Sequence, residues 1–237
     1  MTIPDTYDPI ADVLQLIGWL NSKNGLDVNE RALRILKLTE EVGEVAEALG
    51  ALTGQNPRKE IGTVRILLNE LADTAVTALV AAGSLADDID PGVVRRRLMW
   101  AMAEYSGTAP WSTRRLGSRR RSAVLDPFSA AGTYEPFDHA HILVSGWPPH
   151  RNPLLAPEIV AVSKVTRAAG RVATAFDQRR AWRFGDHLGL SLTLCFAAAT
   201  AIMAMVDIGG DAVVARGAFV VKMQHLVAHI DVDGGAG

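Results

Sequence analysis

Cysteine is nearly absent. The 237-residue chain carries one, Cys195, so it can form neither an internal disulfide nor a cysteine-built metal site by itself. Such sparing use suits a reducing cytoplasm, which is the expected location. No charge sign dominates either. The 24 Lys and Arg against 26 Asp and Glu leave a formal net charge of -2, so no stable nucleic-acid partner is expected. Wholesale disorder is excluded by a hydrophobic fraction of 49% with only 21% charged residues. The opening Met1-Thr2-Ile3-Pro4-Asp5 has no basic stretch followed by an apolar core, and a secretion signal is not expected. A Gly-rich phosphate loop of the P-loop form and a paired-His zinc helix are both missing.

Long uncharged runs are also scarce. Leu188 to Val206 is nearly long enough to cross a bilayer, yet it contains Gly189, Ser191, Thr193 and Thr200 and lacks flanking aromatic anchors. A helix apolar on all sides equally serves as the central helix of a soluble bundle. That is the expectation here, with no membrane partner.

What remains is helical patterning without a series of alternating strands. Ile10, Val13, Leu14, Leu16, Ile17 and Leu20 recur at helical spacing, and Asn24-Gly25 ends the run. Further helices are predicted from about Asn29 to Thr53, Val64 to Leu85 and Pro91 to Tyr105, the last with proline in its first turn. From Ser106 to Pro157 seven prolines punctuate the chain: Pro110, Pro127, Pro136, Pro148, Pro149, Pro153 and Pro157. Proline cannot sit inside a helix without losing a hydrogen bond and clashing, so a linker or irregular excursion is expected there. It carries Arg114, Arg115, Arg119, Arg120 and Arg121, a cluster that solvation explains as well as phosphate binding does. Helical patterning resumes over roughly 158–180, 187–207 and 211–230. The predicted organisation is an all-α protein with an N-terminal helical unit (1–105), the Pro/Arg-rich stretch (106–156) and a second helical unit (157–237). Cys195 fits a small core residue, and His139-Ala140-His141 is read as incidental.

The acids are arranged more tellingly. Glu40, Glu41 and Glu44 form Glu-Glu-x-x-Glu on the second helix, and at 100° per residue all three fall on one arc, together with Lys37. Glu70 and Asp73 share a face of the third helix and are its only formal charges between Arg65 and Asp87. Solvation alone explains the first group. It explains the second less well, because two acids in an apolar helix suffer desolvation and mutual repulsion unless a cation compensates them. If the two helices pack antiparallel, both acidic faces meet, and hard oxygen ligands suit Mg²⁺.

Glu40-Glu41-Val42-Gly43-Glu44 followed by Glu70-Leu71-Ala72-Asp73, with the Gly54-Gln55-Asn56-Pro57-Arg58-Lys59 connector between them, resembles the MazG family of all-α nucleoside triphosphate pyrophosphohydrolases. The resemblance covers roughly residues 10–105. It implies cleavage between the α and β phosphates of a (d)NTP, dependent on Mg²⁺ with Mn²⁺ as an alternative ion, as housecleaning of the nucleotide pool. By motif, Glu40, Glu41, Glu44 and Asp73 become candidate metal ligands, Glu70 a ligand or water-orienting base, and Glu41 and Glu70 the catalytic candidates. Lys37, Arg58 and Lys59 are candidate phosphate contacts or simply solvated cations. Trp19 is a candidate for stacking on a base or a core residue. A phosphoribosyl-ATP pyrophosphohydrolase shares the broad superfamily. A non-catalytic partner-binding or regulatory module would retain the scaffold without the chemistry.

The C-terminal unit reads as a worn copy of the first. Lys37–Leu49 (KLTEEVGEVAEAL) and Lys164–Phe176 (KVTRAAGRVATAF) are identical at six of thirteen positions, and Thr77–Ala81 aligns with Thr200–Ala204. In this register Glu40, Glu41 and Glu44 correspond to Arg167, Ala168 and Arg171, while Glu70 and Asp73 correspond to Thr193 and Phe196. All the acids are lost. Because members of the resembled family assemble from paired subunits, the chain is expected to be an intrachain pseudo-dimer or a homo-oligomer.

Overall fold

A computed structural model describes residues 9–55, 61–85, 91–106, 136–145, 156–177 and 187–234. Among the described residues there are eight helices and no strand: α1 Pro9–Asn24, α2 Val28–Leu52, α3 Val64–Ser84, α4 Pro91–Ser106, α5 Pro136–Ser145, α6 Pro157–Asp177, α7 His187–Gly209 and α8 Ala212–Gly234. The all-α expectation holds.

Local chemistry sets several of the boundaries. Asp27, extended at φ -72°, accepts the N–H groups of Asn29 and Glu30 and so satisfies two orphan donors at the start of α2. Thr63 does the same for α3 through the Ile66 N–H. Gly25 and Gly54 adopt φ values of 77° and 68°, a left-handed conformation that turns the chain after α1 and after α2 at little steric cost to glycine.

Within the proline-punctuated stretch, α5 is a helix rather than irregular chain. Pro136 occupies its first position, where proline has no intrahelical bond to lose. Residues 107–135 and 146–155 of the expected Pro/Arg-rich segment, including its arginines, lie outside the described residues.

The core is organised around α3 and α7, which pack against each other and are buried nearly all round. Leu71, Ala72, Ala75, Ala78 and Leu79 of α3 and Leu194, Ala198, Ala201 and Ile202 of α7 are fully enclosed. Both helices are long and apolar enough to cross a membrane by length and composition, and about three quarters of each is buried inside the bundle (72% and 78%). The bundle therefore already covers the apolar surface that a bilayer would otherwise cover.

The packing has an internal regularity. Helix α2 lies on α3 as α6 lies on α7, and α2 also touches α6. Helix α8 packs on α3 and α1, while α4 packs on α7 and α5. Every substantial helix–helix contact maps onto another, or onto itself, when α1 is exchanged with α5, α2 with α6, α3 with α7 and α4 with α8. The fourth helix of each half thus packs more on the other half than on its own.

Candidate functional site

The acidic faces of α2 and α3 do meet. Carboxylate oxygens of Glu41 and Glu44 on α2 and Glu70 on α3 lie within 4.8 Å of one another. Further along the same pair, Arg34 of α2 reaches Ser84 of α3 at 2.7 Å. Descending α2 from 44 to 34 therefore climbs α3 from 70 to 84, and the two helices are antiparallel.

Burial makes this a strained electrostatic environment. The Glu41 side chain is only 8% exposed. Desolvation raises its pKa despite the Lys37 ammonium 3.1 Å away, and the charges of Asp73 and Glu44 push the same way. Glu70 is likewise raised, first by burial and then by the charges of Asp73, Glu44 and Glu41. Asp73 is raised by burial even though the Lys222 ammonium of α8 forms an ion pair with it. Three carboxylates thus resist ionisation together, which marks negative charge that the protein's own cations do not fully offset. A hard divalent cation is the species whose charge and oxygen preference fit that donor set.

Glu41 and Asp73 also face a cavity of about 550 Å³, with Lys37 and Lys222 beside them. The volume is that of a small-molecule pocket. Its walls are largely apolar, with Leu16, Trp19 and Leu20 from α1, Val76 and Val80 from α3, and Leu226 from α8. The Trp19 indole Nε1 is shut off from solvent and meets no acceptor among the described residues. A ligand acceptor would satisfy it.

Arg34 anchors the far side of this cavity. Its guanidinium donates to Glu30 at 2.9 Å, Asn21 at 2.7 Å, Ser84 at 2.7 Å and the Gly25 carbonyl at 3.3 Å. It ties the end of α1, the start of α2 and the end of α3 into one corner.

The sequence-predicted residues separate into groups. Glu41, Glu44 and Glu70 form the tight cluster. Asp73, Lys37 and Trp19 line the cavity, and Trp19 also packs against the core, so its two readings are compatible. Glu40 is exposed and is bound to Lys37 at 2.8 Å, outside the tight cluster. Arg58 and Lys59 lie outside the described residues. Sequence reasoning missed Lys222 and Arg34. Lys222 is a cation in a helix dominated by apolar residues, but nothing local in the sequence ties it to Asp73.

His139 and His141 are on α5, where His139 is buried and His141 exposed, two residues apart on a helix. That separation points the two rings in different directions. Cys195 is fully enclosed, and burial pushes its thiol up to about 12, as befits a core residue rather than a nucleophile.

In the C-terminal half, the guanidinium of Arg171 sits 5.5 Å from the centroid of the Phe196 ring. The register expected from the sequence sets these two residues against Glu44 and Asp73. Where the first half collects carboxylates, the second has a cation over an aromatic face.

No protein-family model, curated protein or solved structure matches the chain.

Proposed function

We propose that this protein is a Mg²⁺-dependent nucleotide pyrophosphohydrolase, with Mn²⁺ as an alternative ion, acting on (d)NTPs to give a monophosphate and pyrophosphate. The observation that carries the reading is the convergence of Glu41, Glu44 and Glu70 within 4.8 Å beside a largely apolar cavity of about 550 Å³ that also holds Asp73 and two ammonium groups. The MazG-like resemblance supports the reading, since its ordered acidic motifs imply Glu41, Glu44, Glu70 and Asp73, with Glu40 besides, as the metal-site residues.

Glu41, Glu44, Glu70 and Asp73 are the residues that would hold the ion. When bound, it supplies Lewis-acid polarisation of a phosphate and offsets the charge that develops during cleavage. The chain's residues do the rest. Glu70, partly buried and with raised proton affinity, accepts a proton from the attacking water at a carboxylate oxygen more readily than an ordinary glutamate. The water oxygen bonds to the α-phosphorus, the bond to the bridging oxygen breaks, and pyrophosphate leaves. Lys37, held between Glu40 and Glu41, stands at the phosphate end, while Trp19 offers the nucleoside an apolar face and an unpaired N–H.

The C-terminal half is, in this reading, a degenerate second copy that has lost the acids and kept the scaffold. The exchange symmetry of the packing and the Arg171–Phe196 contact at the aligned positions support it. The chain would then be an intrachain pseudo-dimer working in the cytoplasm on a nucleotide partner, with neither nucleic acid nor membrane required.

Pyrophosphate release from a panel of NTPs and dNTPs, with Mg²⁺ or EDTA, tests the proposal. Metal-dependent release is expected from the wild type and is expected to be lost in folded Glu41→Gln and Asp73→Asn variants. Absence of both turnover and metal-dependent nucleotide binding across the panel would refute it and favour a partner-binding module on the same scaffold.

A further inference from the structure

Among the described residues three cations line the cavity, and they are held differently. Arg34 is saturated by four acceptors at the closed corner. Lys37 bridges Glu40 and Glu41 of its own helix, at 2.8 and 3.1 Å. Lys222 comes from α8, in the other half of the chain, and pairs across the helix boundary with Asp73. One turn further along α8, Leu226 lines the same cavity, so the C-terminal half supplies both a wall and a charge. The arrangement has a counterpart: Arg97 of α4 donates to Ser191 of α7 at 2.7 Å. Each half's fourth helix therefore delivers a cation to the other half's third helix.

We propose that Lys222 is a phosphate-binding residue of the site, contributed by the half that has no acids of its own. It occupies Asp73 while the carboxylates hold no metal, and it passes to the ligand's phosphate chain when Asp73 turns to the metal. This rests on the metal-and-nucleotide reading above. The geometry suits such an exchange, because the Lys222 side chain is 29% exposed and Asp73 17%. A flexible ammonium at the cavity edge can change partners without leaving water entirely. The competition follows from charge. A divalent cation and an ammonium cannot both take full advantage of one carboxylate, whereas phosphate oxygens give the released ammonium a new acceptor.

Opposite effects on two probes separate this role from a structural ion pair. In the full-length chain, Lys222→Met is expected to bind Mn²⁺ alone several-fold more tightly than wild type, because Asp73 loses its competitor. With Mn²⁺ saturating, the same variant is expected to bind inorganic tripolyphosphate about tenfold more weakly, for want of a charge-assisted hydrogen bond. Lys222→Arg should restore most of the tripolyphosphate affinity. Calorimetric titration reads both, with melting curves showing that the variants fold. If Lys222→Met binds both probes as wild type does, or shifts both in one direction, the assignment of Lys222 fails while the function stands. If wild type itself binds neither Mn²⁺ nor tripolyphosphate, the underlying reading falls and Lys222's role falls with it.

Discussion

Glu70→Gln should make the metal-free protein more stable. The substitution keeps shape and hydrogen-bonding capacity and removes one charge from a group that lies within 4.8 Å of Glu41 and Glu44. At an effective dielectric constant of about 20, two unit charges at that distance repel by roughly 3.5 kcal/mol. Exposure of Glu44 and screening by water reduce the gain to about 1–2 kcal/mol. For a chain of this size each kcal/mol shifts the midpoint by about 2–4 °C, so the Tm without metal should rise by about 2–8 °C. Metal reverses the order. At about 100 times its Kd, Mn²⁺ adds about 2.7 kcal/mol to a protein that binds it only when folded. The wild type should therefore gain about 5–11 °C, and the variant, missing a ligand, much less at the same concentration. Thermal melts of both proteins with EDTA and with Mn²⁺ measure all four values. A lower Tm for metal-free Glu70→Gln would show that these carboxylates are not mutually repelled, and an equal Mn²⁺ shift in both proteins that Glu70 is not a ligand of a metal site.

The same charges set a pH dependence. Glu41, Glu70 and Asp73 are all raised by burial above the ordinary values of 4.5 for Glu and 3.8 for Asp. The folded chain thus holds protons more tightly than the unfolded one, and their contribution to stability falls as pH rises from those ordinary values through the raised ones. The advantage of Glu70→Gln should accordingly grow as pH rises from the ordinary value through the raised one and vanish as pH falls below about 4, which melts across a pH series would show. Arg34→Met should lower the Tm by about 6–12 °C, from a loss of about 3 kcal/mol. It strands Asn21 and the Gly25 carbonyl without this donor and leaves Glu30 with Asn24 in place of the guanidinium, and an unchanged melt would remove Arg34 as the anchor of that corner.

Much of the helical framework was legible because its signals are local. Asn24-Gly25, Asn29 and Pro91 mark helix ends in the sequence itself, and they lie within a residue or two of the ends of α1, α2 and α4. The acidic pairing was legible for a related reason. Two carboxylates in an otherwise apolar α3 are unfavourable alone, and their spacing puts them on the face that meets α2. Helix α5 was missed because proline density suggests broken chain, and a proline at a first helical position looks the same in sequence as one that breaks a helix. Lys222 was missed for a non-local reason. Its meaning lies in Asp73, on another helix in the other half of the chain, and no spacing rule joins them. Arg34 has the same difficulty, since a surface arginine and a buried four-acceptor anchor are written identically.

The crossing of the fourth helices has a consequence for how this chain tolerates change. A half without the site's carboxylates would ordinarily be free to drift. Here α8 lies on α3 and α1, so a substitution in α8 alters the chemistry of the opposite half as directly as its own packing. The surroundings of the acidic cluster therefore extend over a chain segment that carries none of its acids. The tolerant positions of the second half should be those facing away from α1 and α3, such as Val213 and Val221, which are exposed on α8.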